Sequence, residues 1–152
     1  MSGGTRAAAV AAVLLSLGRA HADPPPPHPT GVFEVEARGF PDSSGQVLVA
    51  VYNSSQAWLK TPKAVLLRRE RPTGHTFKLT VGPLPYGSYA VSVLHDRNAN
   101  DKMDMKWFPL PGPAEHAGVS RNAPARFGPP SYEDSVVELS QPTVTLLIEM
   151  RR

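Results

Sequence analysis

The feature that most limits what this chain can become is a two-residue hydrophobic rhythm in a sequence without a single cysteine. Phe33, Val35 and Ala37 alternate with Glu34, Glu36 and Arg38, and Phe77, Leu79 and Val81 alternate with Thr76, Lys78 and Thr80. Successive side chains of an extended strand point to opposite faces, so this rhythm predicts half-buried strands and speaks against amphipathic helices. Residues 47–52 and 89–94 are apolar at both parities, which suits central strands, and Val144, Leu146, Ile148 and Met150 close the chain as another. Residues 65–69 and 135–139 are weaker strand segments. Pro41-Asp42-Ser43-Ser44-Gly45, Pro72-Thr73-Gly74 and residues 82–87 are turn punctuation between them. About seven strands divided in this way predict an all-β fold, an antiparallel two-sheet sandwich. Its expected inward side chains are Phe33, Val35, Val49, Val51, Phe77, Leu79, Val91, Val93, Leu146 and Ile148. A short helical turn is expected over residues 54–60, capped by Ser54 or Ser55, with Trp58 as a lid on the sandwich.

The 152 residues suffice for one domain. Residues 1–22 read as a secretory signal: Arg6 is followed by an apolar run over residues 7–17, and Ala20-His21-Ala22 offers the small-x-small pattern of a signal peptidase site. The apolar run falls well short of the ~20 residues that span a bilayer. Cleavage after Ala22 leaves no transmembrane segment in the mature chain, and the expected location is periplasmic or extracellular. Residues 23–30 hold Pro24, Pro25, Pro26, Pro27 and Pro29, an extended semi-rigid linker, and the sandwich domain is expected over residues 31–152. Arg6 and Arg19 leave with the signal, so the net charge of +3 falls to +1, with 14 basic residues against 13 acidic ones. Arg68, Arg69 and Arg71 lack interleaved aromatics, and no nucleic-acid partner is expected. An exported domain without disulfides rests on its core, helped in some cases by a bound ion.

Residues 95–134 form a connection far longer than the usual ~4 to 6 residues. Trp107, Phe108, Phe127 and Tyr132 give it apolar surface, so an ordered, functional loop is expected. It opens with His95-Asp96-Arg97-Asn98-Ala99-Asn100-Asp101-Lys102-Met103-Asp104. Asp96, Asn98, Asn100 and Asp104 fall at positions one, three, five and nine of a calcium-type loop, and the Lys102 carbonyl falls at position seven. Alternate side chains of a tightly curled loop can converge as an oxygen ring around Ca2+. Position six carries Asp101 in place of glycine, which Asp tolerates by entering the left-handed region. Position twelve is Trp107, which excludes a standard EF-hand and leaves Glu133 or Asp134 as further ligand candidates. The alternative is an Asx-rich turn in which Asp96 and Asn98 bond backbone amides and no metal is present. His75, His95 and His116 are too scattered to favour zinc or copper.

Three segments carry a family resemblance. Residues 84–93 (LPYGSYAVSV), the following His95-Asp96-Arg97-Asn98-Ala99-Asn100 with Asp104, and Gly128-Pro129-Pro130-Ser131-Tyr132-Glu133-Asp134 resemble the bacterial family called domain of unknown function 2141 (DUF2141). Pro111, Glu115, Gly118, Ser120 and Asn122 are similar to that family's proline, glutamate and glycine-x-serine-asparagine segment. The resemblance spans about residues 32–152. It implies an exported protein with no assigned activity and a sandwich of the immunoglobulin-like or transthyretin-like kind, similar also to collagen-binding B-type (Cna-B) modules. Asn100-Asp101 stands where the family has asparagine-glycine, and Arg121 separates Ser120 from Asn122.

Three functions follow as expectations. The first is a non-catalytic exported module whose loop, ordered by Ca2+, presents a surface to a protein or carbohydrate ligand. The second is a periplasmic hydrolase-like enzyme on a transthyretin-like fold. Ser120, Ser131 and the His95-Asp96 pair are its only visible residues, the tyrosine-arginine-glycine-serine ending of such hydrolases is absent, and no catalytic residue is assigned. The third is a purely structural envelope protein.

Overall fold

The computed structural model describes residues 27–107 and 111–152. The signal segment, the first half of the Pro-rich linker and Phe108 lie outside the described residues. Ten strands, numbered in chain order, build two facing sheets and one small hairpin. The first sheet has the order β10 (Thr143–Glu149), β1 (Thr30–Arg38), β4 (Thr76–Pro85). In the second, β3 (Leu66–Glu70), β2 (Gln46–Tyr52), β5 (Gly87–Asp96) and β8 (Ala117–Val119) are neighbours, and β9 (Val137–Leu139) pairs with the start of β5. β6 (Met105–Lys106) and β7 (Gly112–Pro113) form the hairpin. The seven strands expected from the sequence are all present, and the three short ones lie in the long connection.

The core follows the two-residue rhythm. Phe33, Val35 and Ala37 of β1 face Val47, Val49 and Val51 of β2 and Val91 and Val93 of β5, and all of them are fully enclosed. Phe33 meets Tyr89 edge-on, ring centroids 6.0 Å apart. Burying each such aliphatic or aromatic side chain contributes about 1.5–3 kcal/mol, which is how a cysteine-free domain holds together. Leu79, expected inward, is only partly buried, because β4 is an edge strand.

Three local features differ from expectation. The sheets are antiparallel except for β1 and β10, which run parallel with Val35 opposite Leu146. A period-two pattern carries no strand direction, and no hairpin joins these two strands. The turn read at residues 82–87 is narrower, because β4 continues through Gly82-Pro83 to Pro85. As an edge strand it tolerates prolines, and β1 absorbs the irregularity as a register shift between Gly31 and Phe33. Residues 54–60 form successive three-residue turns instead of an α-helix, with Ala57 N–H bonding the Ser54 carbonyl and Leu59 in the left-handed region. Trp58 still acts as a lid. It lies over the outer face of β2, edge-on to Tyr52 and to Tyr132, and its indole N–H donates to the Pro130 carbonyl at 2.8 Å.

Candidate functional site

β2 and β5 run antiparallel in a register that sets Gln46 opposite Asp96 at one end of the sheet and Tyr52 opposite Ala90 toward the other. The loop expected to bind calcium leaves from the Asp96 end. Asp96 is fully buried. Its Oδ1 accepts the Asn100 N–H at 3.1 Å, and its Oδ2 accepts the Asp101 N–H and the Gln46 side-chain amide, both at 2.8 Å. Ala99 and Asp101 have φ of 57° and 62°, so Asp101 takes the left-handed conformation expected at the glycine position. Gly45 lies beneath with φ +66°, and a Cβ there would collide with the Asp96 carbonyl and the Arg97 backbone.

Asp101 turns away from the loop centre to Arg69 of β3. The guanidinium grips it in bidentate fashion, Nε to Oδ1 at 2.9 Å and Nη2 to Oδ2 at 2.8 Å, and Gln46 adds a third bond at 2.9 Å. The Arg69 bond, aided by Gln46 and outweighing desolvation, holds the Asp101 carboxyl below its ordinary range.

On the solvent side three of the expected ligand residues meet. Asn98 Nδ2 donates to Asp104 Oδ2 at 2.6 Å, and Asn100 Nδ2 donates to Asp104 Oδ1 at 2.9 Å. The Lys102 N–H donates to Asn100 Oδ1 at 2.9 Å. The five residues selected by spacing therefore divide: Asn98, Asn100 and Asp104 gather around one point with Lys102 beside them, while Asp96 anchors the backbone underneath.

The residue that spacing missed is Glu115. It is buried, and its carboxylate bridges the two ends of the loop, Oε1 accepting the Arg97 N–H at 2.8 Å and Oε2 the Asp104 N–H at 3.2 Å. It arrives there because β8, just after it, pairs antiparallel with β5, and the Ala114 N–H bonds the Asp104 carbonyl at 2.8 Å. The signal was its place just ahead of Ala117-Gly118-Val119, a strand too short to show a period. Glu133 and Asp134, proposed as distant ligands, sit on α1 (Tyr132–Ser135), a helical turn tied through Tyr132 and Trp58 to the Tyr52 end of the sheet. They do not supply the loop.

Among the described residues, no three His, Asp or Glu side chains gather as a metal-binding group. An ion at this loop would lean on amide and carbonyl oxygens, which suits a hard cation such as Ca2+ and not zinc. His95 lies within the sandwich, its Nε2 donating to the Ser44 carbonyl at 2.7 Å and its ring edge-on to Phe40. The serines considered for catalysis are engaged with backbone. Ser120 is fully buried, accepts the Val91 N–H at 3.0 Å and donates to the Ser135 carbonyl at 2.5 Å. Ser131 caps α1 by accepting the Asp134 N–H at 3.1 Å.

A two-sheet sandwich with a polar loop clasped at one sheet end defines a small all-β module. The family model described as "Uncharacterized protein conserved in bacteria (DUF2141)" matches residues 35–146, and the chain belongs to this family. No curated protein and no solved structure matches it.

Proposed function

We propose that the chain is an exported, non-catalytic sandwich module whose loop from Asp96 to Asp104 takes up calcium and presents a binding surface at that end of the sheet. The observation that supports the calcium reading best is the meeting of Asn98 and Asn100 at the Asp104 carboxylate. Rotating the Asn98 side-chain amide by half a turn exchanges its NH2 for its oxygen in nearly the same place, and the same turn at Asn100 gives up the Lys102 N–H bond to its Oδ1. The three side chains that bond one another are then ready to offer oxygens to a cation, with the loop backbone already curled. The export reading is supported by Arg6, the apolar run behind it and the Ala20-His21-Ala22 pattern. Mass spectrometry of exported material should find Asp23 at the mature N-terminus.

A second reading has its own observation. Every oxygen of Asp96 is occupied by loop and Gln46 donors, which is what an Asx-rich turn without a metal requires. Thermal melting separates the two. Extracellular calcium modules bind in the ~0.1 to 1 mM class, so 10 mM calcium adds roughly 1.4 to 2.7 kcal/mol by mass action and raises Tm by several degrees. Magnesium, which demands stricter octahedral geometry, should do much less. Equal melting temperatures in calcium and in chelator would establish the metal-free turn.

A further inference from the structure

The β6–β7 hairpin leaves the same sheet end as the loop, and the stretch running into and out of its first strand carries an exposed apolar row. Met103, Met105 and Trp107 fall at alternate positions and are 37%, 49% and 77% exposed. The two-residue rhythm that elsewhere buries side chains in the sandwich here leaves them progressively more exposed from Met103 to Trp107. The residues between them are polar. Asp104 is held back by Asn98 and Asn100, whereas Lys102 and Lys106 are exposed and make no ion pair among the described residues.

Most of the acidic groups nearby are buried or paired. Asp96 and Glu115 are buried against backbone N–H groups, Asp101 is neutralised by Arg69, and Asp42 is paired with Arg97 at 3.0 Å. Beside Ala99, Arg71 accompanies an exposed Glu70. This stretch therefore presents apolar and aromatic side chains beside the ammonium groups of Lys102 and Lys106, while Asp42, Asp101 and Asp104, though partly exposed, are engaged by Arg97, Arg69 and the two asparagines.

We propose that this stretch docks on an anionic phospholipid surface, Trp107 and Met105 entering the headgroup boundary while Lys102 and Lys106 meet lipid phosphates. Tryptophan is favoured at the membrane interface, and each lysine near an anionic leaflet adds to attraction that salt screens. An anionic lipid surface fits this stretch because an exposed apolar row with Trp107 most open to solvent is combined with the exposed cations Lys102 and Lys106. The inference rests on the binding-surface reading above and not on the calcium one.

The test is co-sedimentation of the full mature chain with vesicles of 70:30 phosphatidylcholine and phosphatidylglycerol and with pure phosphatidylcholine vesicles, each in calcium and in chelator. The expected result is binding to the anionic vesicles in both media, weakened on the order of tenfold by raising salt from low to near-molar, as screening requires, with a blue shift of tryptophan emission. Trp107→Ser should abolish the shift, and the pair Lys102→Gln and Lys106→Gln should remove the preference for anionic lipid. These side chains are exposed, so an unchanged Tm will show that each variant folds. Absent binding, equal binding to neutral vesicles, or binding that survives Trp107→Ser would overturn the proposal. A concentration-dependent dimer abolished by Trp107→Ser would assign the row to a second copy instead. The calcium shift in Tm is measured on the same samples without lipid, so the two readings fail separately.

Discussion

Spacing alone treats Asp96 and Asp104 as equivalent loop ligands, and the structure predicts that removing them has very different consequences. Asp96→Ala strips a fully buried carboxylate from the Asn100 and Asp101 N–H groups and from Gln46. A buried donor left without its partner costs about 1–3 kcal/mol, and bonds to a charged group lie at the upper end. Gln46 retains Asp101, so two backbone donors carry most of the loss, about 3–5 kcal/mol in all. For a domain of this size that is roughly 10–20 °C in Tm. Asp104→Ala loses acceptors only for the exposed amides of Asn98 and Asn100, which turn to water, and should cost about 1 kcal/mol or less. Far-UV circular dichroism melts in chelator measure both. In calcium, Asp104→Ala should have lost the stabilisation seen in the unsubstituted chain. Losses for the two variants within about 1 kcal/mol of each other would refute the division of the loop into a structural anchor and a solvent-side cluster.

Ser120→Ala should destabilise the domain by about 2–3 kcal/mol, since the Val91 N–H and the Ser135 carbonyl both lose a buried partner, and an unchanged urea midpoint would sink this assignment. Burial, reinforced by Arg152, His95 and Arg97 and opposed by Asp42, holds His116 below the ordinary imidazole range, so the unfolded chain takes up that proton first on acidification. Stability should therefore rise with pH through the window below about 6.5, and His116→Gln should flatten that slope; superimposable pH profiles of Tm would contradict it.

Much of this fold was legible because each main strand carries its own evidence. Phe33, Val35 and Ala37 state one face of β1 without reference to any other segment, and Leu146 and Ile148 do the same for β10. What they do not state is direction, so the parallel pairing of these two strands became visible only in space. The loop shows the same boundary. Local spacing was enough to bring Asn98, Asn100 and Asp104 together and to place Asp101 in the left-handed region. The groups that hold the loop against the sheet are Gln46 from β2, Arg69 from β3 and Glu115 from the approach to β8. Their sequence separations from Asp101 encode nothing until the register of four strands is fixed.

That division also decides how a cation would act. Burying the Asp96 and Glu115 carboxylates at the sheet end is tolerable because each accepts two backbone N–H groups, and an ion that pulled either away would leave those donors unpaired. The Asp104 carboxylate bonds only to exposed side-chain amides, of which Asn98 can rotate at little cost and Asn100 at the loss of one loop bond. A calcium ion should thus enter from the solvent side, exchanging Asn-to-Asp104 bonds for coordination while the clasp beneath stays intact. Few ligands won in this way make a weak site, and a site that leaves β5 and Glu115 in place should slow amide exchange at Asn98, Asn100 and Lys102 without altering the exchange of Arg97 and Asp104. Hydrogen exchange with and without calcium measures this directly. Protection that changes first at Arg97 and Asp104 would mean that Glu115 releases the backbone to bind the ion, and the clasp would then be the ligand.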